Sequence, residues 1–462
     1  MLALTLGILW LGATALLLFD GRRRDVGWAA VGCLTAALAA TGLLGVQVLD
    51  RGPVTDVAGD WPAGVGIVLR ADALGVLFAL LSQVVLLTSL VYEVLNGVRS
   101  RPFPALVLFM GLGLTGLCLT GDVFNFYVFF EISMISAYVL TGYGEGTRQL
   151  RAAAIFAVVN LLGSVLFLIA VAALYHVTGR LDMAGVAGRI PIVQVNPVLL
   201  TATILFVAFS VKLGLFPFHF WLPAVYSGTR PAVAAMLSGA LANIGAYGLL
   251  RFGAGMLPRE LADGAPALMV LGSASILYGA LQAIGRRDPS EVLAYSSIGQ
   301  VGYVLLALSI GGEIGLAAAV VFAVVNSLNK ALLFLAADLR GPVVAAAFAV
   351  GAFSVCGVPP AAGFFGKAAL FRAAIDDASV ATVALLFVGG ALSFVYMFQV
   401  FGRAYLAPEP DEPARGKGLI GRRLTVGAMA LVILLLGLWP QPLLEAGTRA
   451  AQSLPAVAGA SR

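Results

Sequence analysis

Three lysines in long apolar segments are the residues of this chain best suited to chemistry. The chain has 28 basic residues, of which only Lys212, Lys330, Lys367 and Lys417 are lysines, and the first three lie inside apolar segments. Arginine keeps its charge under nearly all conditions, whereas a buried lysine can release its proton. A charged lysine at the centre of a bilayer costs roughly 2.5 to 3.5 kcal/mol. We therefore interpret the three lysines as proton carriers, with packing or snorkelling as the alternative.

Glu131 is the only acidic residue near the centre of an apolar segment, in the run Phe129–Ser133. A carboxyl group alone in hydrocarbon favours its neutral form, whereas a carboxyl group beside an ammonium group favours its ionised form. A Glu131–Lys212 pair that switches between these two conditions could load and release a proton. The alternative is a protonated Glu131 that joins two helices through a hydrogen bond.

Weaker polar residues in the apolar segments are secondary candidates for a proton relay. They are His219, Asn243, Ser297, Tyr303 and Asn326. Histidine titrates near neutral pH, so His219 could relay protons, and a structural hydrogen bond is an equal alternative. For the other four residues, a hydrogen bond between packed helices is the more common role.

The elements that must position these residues are membrane-spanning helices. The chain is 60% hydrophobic and 11% charged, whereas a soluble protein has about 25% charged residues. Apolar runs of about 18 to 25 residues recur along the chain, long enough to cross roughly 30 Å of hydrocarbon as helices. They predict an all-α integral membrane protein with about 14 transmembrane helices, at approximately 2–19, 27–49, 72–94, 103–120, 122–142, 153–176, 197–226, 232–252, 266–284, 291–310, 314–337, 343–373, 380–404 and 424–441.

The seventh and twelfth predicted helices are long and interrupted. Glycine and proline residues break them at 212–217 and 356–360, and Lys212 and Lys367 lie beside these two breaks. Breaks five spans apart predict two inverted five-helix repeats, with the functional site at the broken helices. The predicted organisation is three N-terminal helices, the first repeat, the second repeat, and a C-terminal loop with helix 14 and a tail, at 1–102, 103–252, 253–405 and 406–462.

The distribution of charge predicts the orientation of the chain. Loops on one side of the predicted membrane contain about twice as many Lys and Arg residues as those on the other side, and such residues favour the cytoplasmic side. This bias predicts that both termini lie outside, with Lys417 in an inner loop and Arg251 in an outer loop. Because the basic residues are spread through short loops, the net charge of +5 indicates no nucleic-acid partner.

Metal, cofactor and nucleotide sites are not predicted. Cys33, Cys118 and Cys356 each stand alone in an apolar segment, without the spacing of a metal site or a disulfide framework. The G-x-G-x-x-G match at 111–116 lies inside an apolar span without a preceding strand, so close helix packing is the better interpretation.

Four segments resemble the antiporter-like subunits shared by respiratory complex I, membrane-bound hydrogenases and Mrp-type Na+/H+ antiporters. They are SVKLGLFPFHFWLP at 210–223, LAYSSIGQVGY at 293–303, NKALLF at 329–334 and the surroundings of Glu131. The resemblance covers approximately residues 100–405 and implies fourteen helices with a half-channel in each inverted repeat. It also implies that Glu131 and Lys212 form a modulating ion pair, that Lys330 is the central proton carrier and that Lys367 lies at the exit.

Two positions depart from the pattern of this family. Asn243 stands where a lysine often bridges the two halves, and Asn326 stands where a histidine is common. An amide cannot titrate. Either water bridges the two halves of the proton path at these positions, or the chain conducts protons by a different route. Within the family, the compact length and the short C-terminal tail are most similar to D-type subunits of Mrp antiporters.

The resemblance therefore implies a secondary-transporter subunit rather than an enzyme. The expected protein is a multi-pass, proton-translocating subunit of a multisubunit Na+/H+ antiporter in the cell membrane, with half-channels joined by a midplane relay of lysines and water. Its expected partners are other membrane subunits, the lipid bilayer, H+ and, as a second candidate ion, Na+, without a nucleotide or cofactor. One alternative is a proton-pumping subunit of complex I or a membrane-bound hydrogenase, hence part of a translocase. The other is a non-conducting structural subunit, which Asn243 favours.

Overall fold

The computed structural model describes residues 1–61, 66–144, 146–406 and 418–454, so the predicted loop with Lys417 lies outside the described residues. The described chain is almost entirely helical. Its elements are α1 (Leu2–Leu17), α2 (Arg24–Arg51), β1 (Val54–Val57), β2 (Val68–Ala71), α3 (Ala73–Asn96), α4 (Phe103–Cys118), α5 (Val123–Thr141), α6 (Thr147–Thr178), α7 (Met183–Arg189), α8 (Val195–Leu213), α9 (Leu222–Gly228), α10 (Pro231–Met236), α11 (Asn243–Gly248), α12 (Pro258–Asp263), α13 (Ala265–Ile284), α14 (Pro289–Ile310), α15 (Gly312–Ala337), α16 (Pro342–Cys356), α17 (Gly363–Asp376), α18 (Val380–Phe401), α19 (Leu419–Leu438) and α20 (Gln441–Gln452).

The predicted number of spans is confirmed. Among the described residues, eleven helical segments are long and apolar enough to cross a membrane, and α1, α4 and α16 are shorter apolar helices. Together they account for the fourteen spans. Hydrocarbon offers no hydrogen-bonding partners, and a helix pairs its backbone N–H and C=O groups within itself. The chain is therefore an all-α integral membrane protein.

Both predicted helix breaks are present. Helix α8 ends at Leu213, and Gly214 follows it with a positive φ of 63°. Helix α16 ends at Cys356, and Gly357 follows it with a φ of 79°. Glycine adopts this left-handed conformation at a helix end without the steric cost of a Cβ atom. The spans continue as α9 and α17, and the odd number of spans per repeat makes the two repeats inverted.

The eighth span contains two π-helical segments that the sequence did not indicate. They are Leu237–Leu241 and Leu249–Ala254, and Asn243 opens α11 between them. The carbonyl oxygen of Gly239 accepts hydrogen bonds from the side chains of Asn243 and Ser327. π-Helical turns are rare and often lie at functional sites.

Helix α15 lies at the centre of the second repeat and is continuous, as predicted. It packs against α14, α16, α17, α19 and α20, and against α3 and α10. Most of its residues are buried, and Lys330 is completely buried. A lysine in the middle of this helix can therefore exchange protons only with protein groups or with enclosed water.

Arg251 does not lie in an outer loop, so that assignment is wrong. It belongs to the second π-helical segment and is buried against Asp72, the N-cap of α3. The sequence placed Arg251 at the end of an apolar run, where an arginine normally reaches water. The tertiary structure instead brings a buried carboxylate to it.

Candidate functional site

The three predicted lysines are buried and share one mode of contact. Lys212, Lys330 and Lys367 are 6%, 0% and 5% exposed. Each amino group donates to a backbone carbonyl of a neighbouring helix, and no described carboxylate forms an ion pair with any of them within 4.0 Å. An amine and an ammonium group can both donate such hydrogen bonds. These sites therefore suit a lysine that changes its protonation state.

Lys212 lies in the last turn of α8, directly before the first break. Its Nζ donates to the carbonyl oxygen of Asn160 at 2.7 Å and to the hydroxyl of Ser164 at 3.1 Å, both on α6. It also lies 4.3 Å from the centre of the Phe130 ring, whose π face attracts cations. Gly163 favours this approach, because a Cβ atom there would be 3.2 Å from Cε of Lys212, closer than ordinary van der Waals contact.

Glu131 follows Phe130 on α5 and is close enough to Lys212 to interact with it electrostatically. In this structure the two residues are not in direct contact, and the amino group faces α6 instead. One carboxylate oxygen of Glu131 is buried and has no hydrogen-bonding partner in the described part of the chain. The flexible lysine would have to swing from α6 towards α5 to form the predicted pair.

Lys330 contacts α14 in a similar way. Its Nζ donates to the hydroxyl of Ser296 at 2.7 Å and to the carbonyl oxygen of Leu293 at 3.3 Å. The hydroxyl of Ser297 donates to the same carbonyl oxygen at 2.9 Å. The structure thus brings the predicted relay residue Ser297 beside Lys330 but gives the closest contact to Ser296.

Asn243, at the start of α11, connects the eighth span to α15. Its amide nitrogen donates to the carbonyl oxygen of Gly239 at 2.8 Å and to the hydroxyl of Ser327 on α15 at 3.1 Å. On either side of Ser327, the amide oxygens of Asn326 and Asn329 are buried without a hydrogen-bonding partner among the described residues. Buried, unpaired oxygens of this kind are suitable partners for internal water.

Lys367 follows the second break and lies near the start of α17. Its Nζ donates at 2.9 Å to the carbonyl oxygen of Cys356, which the end of α16 leaves free. The predicted relay residue Tyr303 lies beside it, with its ring centre 5.1 Å from Nζ. Lys367 also borders a cavity of about 740 Å³ that extends to Arg372 and Asp376. Lys367 therefore has an open neighbourhood, whereas Lys330 is enclosed.

Among the described residues, no hydrogen bond joins His219 to a lysine. It lies in the 3₁₀ segment after the first break, with its ring 4.4 Å from that of Tyr278. Its Nδ1 atom is buried and has no hydrogen-bonding partner within the described ranges. A role for His219 in a relay stays a prediction.

Several residues of the site were missed by the sequence interpretation. Ser393 and Tyr396, one turn apart on α18, hydrogen-bond to each other, and Tyr396 also hydrogen-bonds to Ser296. Their spacing places both hydroxyls on one helix face, a signal that was available in the sequence. Outside the lysine sites, Glu93 was also missed, because it lies at the end of a span. It is buried, accepts a hydrogen bond from Tyr143 at 2.8 Å and lies 3.6 Å from Arg230.

The fold and the three buried lysines, two of them beside broken helices, define the chain as an antiporter-like membrane subunit. The family model "NADH:quinone oxidoreductase/Mrp antiporter, TM" matches residues 120–393, which include Glu131 and all three buried lysines. The chain belongs to this family.

Relatives of two kinds support the assignment. The chain is 30% identical over 452 residues to the D-type subunit of the Na+/H+ antiporter of Alkalihalophilus pseudofirmus, covering 93% of this chain and 91% of that protein. It is 36% identical over 442 residues to the N-type subunit of the NADH-quinone oxidoreductase of Desulforudis audaxviator, covering 88% of each. The resemblance predicted from the sequence is confirmed.

Solved structures agree with this fold. A chain of the Mrp complex from Dietzia sp. superposes with a TM-score of 0.88 at 27% identity, covering 98% of this chain and 97% of that chain. A chain of respiratory complex I from Thermus thermophilus superposes with a TM-score of 0.77 at 27% identity, covering 96% and 98%.

Proposed function

We propose that this chain is the proton-translocating, D-type subunit of a multisubunit Na+/H+ antiporter in a bacterial-type cell membrane, with both termini outside. The observation that carries the proposal is the burial of three lysines without a carboxylate in direct contact among the described residues, two of them beside broken helices. Keeping three such residues away from water is costly, and a role in proton transfer explains why the chain retains them. The chain contributes the proton path, and other membrane subunits complete the transporter.

Protons enter a half-channel in residues 103–252, pass from Lys212 to Lys330, and leave near Lys367 through a half-channel in residues 253–405. Glu131 adjusts the proton affinity of Lys212 when the two side chains approach. Asn243 cannot carry a proton, so water bridges this part of the path. The unpaired oxygens of Asn326 and Asn329 favour such water. So does a cavity of about 10 Å³ between Lys212 and Ala242, which is roughly the minimum for one water molecule.

The second candidate function is proton pumping within a respiratory complex. It is favoured by the 36% identity to an N-type oxidoreductase subunit, which exceeds the 30% identity to the D-type antiporter subunit. Mass spectrometry of the native complex distinguishes the two functions. If the copurified subunits are all small membrane proteins, the antiporter function is supported. If they include peripheral flavin or iron–sulfur subunits, the respiratory function is supported instead.

Lys212→Met is expected to lower Na+-dependent proton transport by the intact complex at least roughly tenfold, because it removes the first proton carrier while keeping an apolar side chain of similar length. Transport is measured in everted membrane vesicles from cells expressing the whole complex, normalised to the amount of assembled complex. Lys417→Met is the control, since it removes the same charge from a predicted loop. Normal transport by Lys212→Met, or equal loss in both variants, would contradict the proposal.

Glu131→Gln is expected to slow transport through Lys212, because an amide cannot adjust the charge near the amino group. The double variant Glu131→Gln/Lys212→Met should be no slower than Lys212→Met alone, as expected for two residues that act together. The exposed Glu445 on α20 provides the matched control Glu445→Gln. If the two single effects multiply in the double variant, Glu131 acts independently of Lys212 and the coupling is wrong.

A further inference from the structure

A line of hydroxyl groups leads away from Lys330 towards the second break. Lys330 Nζ donates to Ser296 Oγ at 2.7 Å, and Ser296 Oγ lies 2.9 Å from the hydroxyl oxygen of Tyr396. The Tyr396 hydroxyl in turn donates to Ser393 Oγ at 3.2 Å. All four side chains are buried. Helices α14, α15 and α18 thus share one unbroken line of hydrogen bonds.

The hydrogen bonds in this line all run in one direction. Ser393 gives its proton to the carbonyl oxygen of Gly389 at 2.7 Å, so it accepts from Tyr396. The Tyr396 hydroxyl therefore donates its one hydrogen to Ser393. Because it has no second hydrogen, Ser296 is the donor in the hydrogen bond to Tyr396. Gln300 supports the same arrangement by donating to the Tyr396 oxygen at 3.4 Å. Every hydroxyl points away from Lys330.

Ser393, at the end of the line, lies one turn beyond two glycines that adjoin Tyr303 and Lys367. A Cβ atom at Gly389 would collide with the hydroxyl of Tyr303, and one at Gly390 would lie 3.6 Å from Lys367 Nζ. Gly389 therefore makes room for the Tyr303 hydroxyl, and the adjacent Gly390 lies beside Lys367. The Tyr303 hydroxyl is near Ser393, is buried, and has no hydrogen bond of ordinary geometry in the described part of the chain.

We propose that Ser296, Tyr396 and Ser393 form a hydroxyl relay that carries protons from Lys330 to Lys367, with the unpaired Tyr303 hydroxyl completing its far end. The inference rests on the proposed function and specifies the route of its second half. The Lys330 ammonium group gives a proton to Ser296 as Ser296 passes its own to Tyr396 and Tyr396 passes its own to Ser393. The Ser393 hydroxyl then turns from the Gly389 carbonyl oxygen to Tyr303, which accepts its proton and passes its own to the Lys367 amine. Lys330 becomes neutral, Lys367 becomes charged, and the hydroxyls rotate back before the next transfer.

The test is Tyr396→Phe in the intact complex, which removes one hydroxyl and keeps the buried ring. The expected result is a roughly tenfold slower proton transport, within the range for loss of one proton-transfer group. The solvent deuterium isotope effect on transport should also rise, because proton transfer becomes the slow step. Tyr405→Phe is the matched control, since the Tyr405 hydroxyl on the same span donates to the Ala336 carbonyl oxygen outside the relay.

Ser296 offers a second variant pair. Ser296→Thr keeps a hydroxyl and should retain transport, whereas Ser296→Ala should lose it to the same extent as Tyr396→Phe. The relay would be overturned if Tyr396→Phe and Tyr405→Phe both transported at the unmodified rate with an unchanged isotope effect. That outcome, together with inactivity of Lys330→Ala, leaves the proposed function intact. Unchanged transport by Lys330→Ala would instead overturn the proposed function.

Discussion

Lys330→Ala is expected to reduce Na+-dependent proton transport by the intact complex at least about 100-fold, within the range for a group that transfers protons. Lys330 is completely buried on α15 and contacts Ser296, the first member of the proposed relay. On the proposed path, it is the only titratable side chain between Lys212 and the hydroxyl line. Its removal therefore separates the two half-channels. Transport is measured by pH-dependent dye fluorescence in everted vesicles, normalised to assembled complex.

Two further variants separate the loss of a proton carrier from the loss of packing. Lys330→Met fills most of the space and should be as inactive as Lys330→Ala. Lys330→Arg keeps a positive charge but should also be inactive, because a guanidinium group does not release its proton under these conditions. Normal transport by Lys330→Met would eliminate Lys330 as a carrier. Normal transport by Lys330→Arg would mean that a fixed charge, rather than a mobile proton, is required.

Asp72→Asn is expected to destabilise the fold by about 3–5 kcal/mol, the usual cost of leaving one member of a buried ion pair alone. Both carboxylate oxygens of Asp72 accept hydrogen bonds from Arg251 at 2.6 Å, and the Asp72 and Arg251 side chains are 0% and 8% exposed. Arg251 also donates to the hydroxyl of Tyr247, which donates to the carbonyl oxygen of Cys118. The pair therefore joins α3, α4 and the second π-helical segment.

Asp182 provides a matched control for this prediction. Like Asp72, it caps a helix by accepting from the backbone N–H three residues later, and it pairs with Arg180 at 2.6 Å. Because that pair is partly exposed, Asp182→Asn should cost only about 1 kcal/mol or less. The comparison is made by thermal unfolding of the purified complex. If Asp72→Asn and Asp182→Asn were equally stable, the prediction that Asp72→Asn leaves Arg251 buried without a partner would be wrong. The double variant Asp72→Asn/Arg251→Met should recover part of the stability that Asp72→Asn loses.

The positions of the spans and breaks could be predicted because they depend on local properties of the chain. A long apolar run forms a helix in hydrocarbon, because a helix supplies hydrogen-bonding partners for the backbone groups within the same segment. Gly214 and Gly357 mark the ends of α8 and α16 because a left-handed residue is required there. Lys212, Lys330 and Lys367 could be found from residue type alone, since ionisable groups are rare in apolar spans.

The contacts of these residues were decided by tertiary packing. Ser296 and Tyr396 meet although they are 100 positions apart, and Asp72 and Arg251 meet across 179 positions. Glu131 and Lys212 were expected to pair, yet packing turns the lysine towards Asn160. The sequence by itself determined which residues enter the membrane, since that depends on each segment's own hydrophobicity. Only the tertiary structure decided which polar groups face each other there, because side-chain contacts between helices depend on how distant segments pack together.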